Sequence, residues 1–284
     1  MTLQSPHPRP ARSGFSLLEL LLAVTIMSVI VVALYGMFYH VQRGLRANVN
    51  QVDVLEGGRA ALDLLARELT QMAPSHRAWG LNATGALSGA YAPTVQVLAD
   101  GVSLRTNVLQ EVAFLTRYNQ EFTATAYRVL YAEGGVGVLS SYSTNALPWQ
   151  VNPTNLIHAA LSAPPELFSP MLEGVIHFRV LPYDLQGVKM EWWRTNVDYG
   201  PHVLLLPDRL ASETRYGFFS NALPAFVEVE LGVLEPQTWE QYRTFPAGSD
   251  RARRFLAERS AQVHLFRQWL PIRRGWQTTT ASHP

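Results

Sequence analysis

Between Leu20 and Gln42 lie 23 residues without a single Asp, Glu, Lys or Arg. A helix needs ~20 such residues to cross ~30 Å of hydrocarbon. This stretch is a candidate membrane-spanning helix, and it divides the chain into a short segment before it and a long one after it. A secretory signal peptide has an apolar stretch of about 7 to 15 residues followed by a small-residue cleavage site. Here the stretch is longer and no such site follows. One carboxylate, Glu19, stands at its head. Carboxylates inside spanning segments cost about 2.5–3.5 kcal/mol at mid-helix. Either Glu19 reaches headgroups and water at the interface, or it meets a positive partner.

The flanking residues narrow the choice. Gly14-Phe15-Ser16-Leu17-Leu18-Glu19 precedes the apolar run, with Arg9 and Arg12 further upstream. This pattern resembles the leader of type IV prepilins and type II secretion pseudopilins. The resemblance implies that a prepilin peptidase cuts between Gly14 and Phe15 and methylates the new amino group of Phe15, leaving Glu19 as the fifth residue of the mature chain. The freed amino group would be a cation at the head of a helix whose dipole is positive at the same end. A carboxylate from a neighbouring helix would neutralise it, and in a low-dielectric surrounding either charge alone is costly. Glu19 then acts as a key for helix register during assembly.

The 284 residues allow one or two domains. Formal charge is +1, from 23 basic and 22 acidic residues; without Arg9 and Arg12 of the leader it is 21 against 22. No strongly basic surface for nucleic acid is implied. Cysteine is absent, so disulfides are excluded. Arg9 and Arg12, with no acid among residues 1 to 14, favour a cytoplasmic amino terminus, although Arg43 and Arg46 weaken the asymmetry. The expectation is a single pass through the inner membrane, with the carboxyl-terminal domain in the periplasm.

Residues 1–14 read as an unstructured leader and 15–42 as the span. Within the span Gly36 marks close helix approach, a bend, or simply a tolerated glycine. Residues 43–73 read as an amphipathic helix that continues the span. Val52, Leu55, Leu62, Leu65, Leu69 and Met72 form its apolar stripe, Gly57-Gly58 interrupt it, and it ends before Pro74. Residues 74–284 read as a β-rich domain. The stretch 75–93 reads as loop, followed by strands at 94–99, 101–108, 111–118, 123–132 and 136–143, with Glu133-Gly134-Gly135 as a hairpin signal. Residues 145–170, with five prolines, read as an irregular excursion. A second strand group falls at 174–181, 188–194, 203–206, 226–234 and 262–271, with a turn at Asp184-Gln186-Gly187. The fold class is α+β: a long amino-terminal helix packed on an antiparallel sheet.

The second strand group is similar to the carboxyl half of J-type minor pseudopilins. The residues that carry this are 175–184 (VIHFRVLPYD), Trp192-Trp193, 223–231 (LPAFVEVEL) and 263–271 (VHLFRQWLP). The segments 145–170 and 235–261 enlarge the domain beyond that pattern. The resemblance implies partners: the prepilin peptidase, other minor pseudopilins, the major pseudopilin and inner-membrane lipid. A minor type IV pilin for adhesion, motility or DNA uptake is the related alternative, and a tethered enzyme or sensor is the alternative from another class.

Enzymatic motifs do not support that last alternative. G-x-S-x-G, H-E-x-x-H and the P-loop are all missing. His76, His158, His177, His202 and His264 stand singly, and Asp184, Asp198, Asp208 and Asp250 sit in predicted turns without a dense D-x-D-x-D loop for calcium. No catalytic residue, metal ligand or cofactor is expected. Trp192-Trp193 is read as one ring in the core and one over an edge, with a surface for sugar or a partner as the alternative. Arg251, Arg253, Arg254, Arg259, Arg267, Arg273 and Arg274 read as a solvated helix face followed by a strand, or as a surface for an acidic partner or lipid. Asn82-Ala83-Thr84 matches a glycosylation sequon.

Overall fold

The computed structural model describes residues 16–89, 93–98, 100–132, 134–147 and 149–272, with the backbone alone at 43–51 and 53. The chain divides into two units, Met1–Val49 and Asn50–Pro284. Helix α1, Leu17–Leu69, begins in the first and ends in the second. Within the first unit Leu17–Gln42 has a mean hydropathy of 2.7 and no buried residue, so by length and composition it is fit to cross a bilayer.

The second unit is built on a nine-stranded antiparallel sheet. Its strands are β1 (Leu81–Leu87), β4 (Gln110–Tyr118), β5 (Glu121–Leu130), β6 (Gly137–Ala146), β7 (Ser169–Tyr183), β8 (Val203–Pro207), β9 (Thr214–Phe219), β10 (Phe226–Leu234) and β11 (Val263–Pro271). A separate hairpin pairs β2 (Thr94–Val97) with β3 (Leu104–Asn107). The order in the large sheet is β11-β10-β7-β6-β5-β4-β1-β9-β8.

The sheet curls because β7 changes neighbour along its length. Its first part pairs with β6 as far as Val175, where Gly174 at φ +71° accommodates an irregular register. Beyond that point the backbone N–H of Phe178 donates to Val108 O (2.8 Å) and that of Val180 to the Gln110 side chain (2.9 Å). The start of β4 thus returns to β7 and closes the curve.

One face of the sheet holds the main core. From α1 it takes Val54, Ala61, Leu62, Leu65 and Leu69; from the sheet come Phe114, Tyr127, Phe178, Val229 and Leu231, all buried. Each such side chain contributes about 1.5–3 kcal/mol by leaving water. Val52, placed on the apolar stripe by its spacing, is half exposed, and Val54 takes the buried position instead. Gly58 permits this approach: a Cβ there would overlap the Phe266 ring of β11. The Gly57-Gly58 pair, which interrupts the stripe in sequence, is thus a point of close contact with the sheet. The Tyr127 hydroxyl donates to Glu68 Oε2 (2.6 Å), tying α1 to β5.

The segment 145–170 is not an irregular excursion. It contains helix α2 (Pro153–Leu161), started by Asn152, whose side chain accepts the Thr154 N–H, and by Pro153 at the first position. Leu156, Ile157 and Ala160 bury against Ala113, Leu115, Ala124 and Ala126 on the opposite face. The sheet is therefore buried on both faces here, which is why β5 lacks a polar side. Tyr131, which continues the alternation in sequence, leaves the strand at φ +57° and is exposed.

The segment 235–261 forms α3 (Pro236–Tyr242) and α4 (Asp250–Ala257), which cover Val136, Ile176, Leu234 and Val263 through Tyr242, Ala252 and Leu256. Two further expectations fail. The loop predicted at 75–93 contains β1, whose Gly and Ala residues pair between β4 and β9 because Gly85 lets Tyr216 lie over it. The strand predicted at 188–194 is a single bridge, Tyr183 with Lys189, because the chain turns away at Trp192-Trp193. Strand β9 went unrecognised.

Candidate functional site

Gly14 and Phe15 lie outside the described residues. Immediately after them Ser16 and Glu19 cap helix α1 reciprocally. The Ser16 N–H donates to Glu19 Oε2 (2.9 Å), and the Glu19 N–H donates to Ser16 Oγ (3.2 Å). This is the capping box, S-x-x-E, which satisfies two helix-end donors at once. It was legible in Ser16-Leu17-Leu18-Glu19, and reading Glu19 only as an acid among oils missed it. Glu19 thus has a role within its own helix and carries its charge at the positive end of the dipole.

From Glu19 two rows run down one side of the helix: Glu19, Ala23, Met27 and Val31, and beside them Leu20, Val24, Ser28 and Val32. The rows are four residues apart in each step, the spacing of packing ridges, with small side chains at Ala23 and Ser28 leaving a groove. The hydroxyls of Thr25 and Ser28 donate to the carbonyls of Leu22 and Val24, both at 2.8 Å. They therefore need no outside partner, and this face presents an apolar surface headed by one carboxylate.

The second unit contains a buried charge network that period-two patterning had hidden. On β10, Glu228 and Glu230 alternate with valines and leucine, as solvent-facing residues would, yet both are buried. Glu230 Oε2 accepts from Arg179 Nε (2.8 Å) and from His177 (3.2 Å), and its Oε1 lies 3.0 Å from Arg267 Nε. Arg179 also reaches Glu213 at 2.9 Å. Burial pushes the Glu230 carboxyl up, but the His177 hydrogen bond and the Arg179 charge overcome it and hold it at about 2. Burial lowers the His177 imidazole, and Arg179 lowers it further, against the Glu230 bond. His177 Nδ1 accepts the Val108 N–H at 3.1 Å, so the neutral ring carries its proton on Nε2 and donates to Glu230. The arrangement locks β7 to β10, β11 and the start of β4.

The remaining candidate residues stand apart. Among the described residues no three His, Asp or Glu side chains gather as a metal cluster. Asn82 is wholly buried, bonded to Ser75, Ser220 and Ala222, so the sequon is closed to modification. Trp192 and Trp193 meet edge to face at 5.8 Å and neither enters the core; Trp192 Nε1 donates to Ala211 O. Arg251, Arg253 and Arg254 of α4 are exposed, and Arg259 lies over the Phe255 ring at 4.2 Å.

The family model described as the prokaryotic N-terminal methylation motif matches residues 9–35. The amino terminus is type IV pilin-like. The methylation motif spans Arg9 and Arg12, the Gly14-Phe15 pair, the Ser16–Glu19 cap and all of the apolar groove. No curated protein matches the chain. Among solved structures, a type IV-like pilin from Thermus thermophilus aligns at 12% identity over 78% of this chain and 96% of its own, with a TM-score of 0.37.

Proposed function

We propose that this pilin-like chain is a minor pseudopilin of a type II secretion system, a structural subunit of the pseudopilus tip. Residues 1–14 are its cytoplasmic leader, 15–42 its anchor in the inner membrane, and 43–73 the helix that leads into the periplasmic domain, 74–284. The observation that carries the reading is the methylation motif with Glu19 at the head of an exposed apolar groove. The J-type resemblance of the second strand group adds the choice of secretion over a pilus.

The mechanism follows from the cap. Before processing, Glu19 holds the Ser16 N–H of its own helix. After cleavage at Gly14-Phe15, a neighbouring subunit's methylated amino group offers the carboxylate a charged partner. Both bonds are charge-assisted, but only the amino group brings a full opposite charge, whose attraction is strengthened in the low-dielectric surrounding, so Glu19 turns outward while the apolar grooves pack. Other minor subunits and the major pseudopilin are the partners, and the prepilin peptidase is the processing enzyme.

Two substitutions separate capping from charge. Glutamine also completes a capping box, so Glu19→Gln keeps the helix start and removes the charge, whereas Glu19→Ala removes both. Incorporation is read by cross-linking in membranes holding the companion subunits. Both variants are expected to be processed and to stay out of the assembly. Normal incorporation of Glu19→Gln would leave Glu19 as a cap and end the register-key reading.

A further inference from the structure

The nine-stranded sheet ends in β11 on one side and β8 on the other. The bonds each edge makes inward fix which backbone groups it leaves open. Where β10 meets β11, the Ile272 N–H donates to Ala225 O and the Glu235 N–H to Gln262 O, both at 2.9 Å, and the register between them has no shift. In an antiparallel pair every second residue bonds to its neighbour. The even positions from 264 to 270 therefore face β10, and Leu265, Arg267 and Trp269 turn their N–H and C=O groups outward. No other strand or loop bonds to these groups among the described residues.

Strand β8 is closed by comparison. The Phe219 N–H donates to His202 O and the Asp208 N–H to Glu213 O, which places Val203, Leu205 and Pro207 on the outer side. Pro207 has no N–H, and that of Val203 donates to Gly200 O (3.3 Å), so Leu205 holds the one open donor. A long open edge is a template for another strand unless something blunts it. Proline blunts β8, whereas β11 offers three donors in a row before Pro271.

The side chains at the open positions indicate what an added strand would carry. Leu265 and Trp269, 37% and 50% exposed, flank Arg267 on one face, with the Trp269 and Tyr183 ring centroids 4.1 Å apart. Arg267 Nε lies 3.0 Å from Glu230 Oε1, but Arg179 and His177 already share that carboxylate. The terminal nitrogens of Arg267 make no hydrogen bond among the described residues. The next carboxylate on β10, Glu228, is buried and accepts from the Tyr183 hydroxyl. Arg105 of β3 is half-buried and forms no ion pair among the described residues; burial, and then the charge of Arg267, lower its pKa. Two β11 strands overlapping in full would set Arg267 against Arg267, and like charges directly opposite destabilise a pair. A carboxylate in that position does the reverse.

We propose that the open edge of β11 docks an extended segment of a partner protein with the pattern apolar-x-acid-x-apolar. Its backbone adds a tenth strand, its carboxylate meets Arg267 beside Arg105, and its apolar residues lie next to Leu265 and Trp269.

The test uses the full chain in phosphatidylcholine nanodiscs, which bring no net charge, and a capped peptide, Thr-Val-Thr-Glu-Thr-Val-Thr. A second peptide with Lys in place of Glu is the control. Hydrogen exchange resolved to single amides should find Leu265, Arg267 and Trp269 fast in the free chain, with Phe266 and Gln268 slow between them. The Glu peptide should slow all three. The Lys peptide should bind about tenfold more weakly, read by anisotropy of labelled peptides, and Arg267→Met should remove most of that preference. Leu265→Pro deletes an outward N–H that β10 does not use, at the same parity as Pro271, so circular dichroism should match the parent and affinity should fall about fivefold. Arg267→Met keeps the test decisive if Leu265→Pro does not fold. Absence of binding, equal binding of the two peptides, or binding that leaves the three amides fast would overturn the proposal. So would slow exchange at all three in the free chain, the sign of an edge already filled by a second copy or by residues 273–284. None of these outcomes bears on assembly through Glu19.

Discussion

Glu230→Gln should be among the most damaging single substitutions in the outer domain, although the change is one atom and keeps the volume. Glutamine places an NH2 group where Arg179, His177 and Arg267 now donate. Removing one partner from a buried ion pair costs about 3–5 kcal/mol. Arg267 is largely exposed, so its share is small. Arg179 retains Glu213 at 2.9 Å, which puts the cost near the lower end. A second route agrees. The carboxyl is held at about 2 against an ordinary 4.5, and at ~1.4 kcal/mol per pKa unit the difference is on the order of 3 kcal/mol. For a domain of this size the loss is roughly 10 °C in unfolding midpoint, read by tryptophan fluorescence in amphipol at pH 7. Replacing the whole cluster together, Arg179→Met with Glu230→Leu and Glu213→Gln, should cost less than Glu230→Gln, because no buried lone charge remains. A loss under ~1 kcal/mol for Glu230→Gln, against the ~3–5 kcal/mol expected for a broken buried pair, would refute the buried-network account.

Acid should act through the same residues. Both pKa values are depressed in the fold, so the unfolded chain binds protons first: stability falls from about pH 6.5 as His177 is challenged and again from about 4.5 toward 2 as Glu230 is. Glu230→Gln should remove the second fall, and an unchanged midpoint-against-pH curve would contradict this. Gly58→Ala should cost about 1–3 kcal/mol by overpacking, and Phe266→Leu should recover part of it in the double variant; an additive double variant would place the strain elsewhere. Ile157→Ala, at a wholly buried position of α2, should cost about 2–5 kcal/mol, whereas a surface-like loss would mean that α2 does not cover the sheet.

The legible parts of the chain were those where local chemistry and tertiary packing agree. The apolar run from Leu20 to Gln42, strand β10 at its full length and the turn at Asp184–Gly187 all follow from period or turn residues. The failures share a cause. In β1, Gly85 and Ala83 look like loop, because the reason for a small residue, the Tyr216 ring above Gly85, is distant in sequence. In α2, Pro153 reads as a breaker until Asn152 before it is recognised as a cap. Glu228 and Glu230 alternate as if facing water, and only the arginines and histidine of neighbouring strands make their burial affordable. At the amino terminus the motif named Glu19, while its bond to the Ser16 N–H needed the helix start to be seen.

The central claim is that Phe15 becomes a charged helix head for which Glu19 is the partner. Intact-mass and amino-terminal peptide mass spectrometry of the chain extracted from native membranes tests it most directly. The account predicts that the first residue is Phe15 bearing one methyl group on its nitrogen. A terminus at Met1, or a cut anywhere beyond the apolar run, would contradict it.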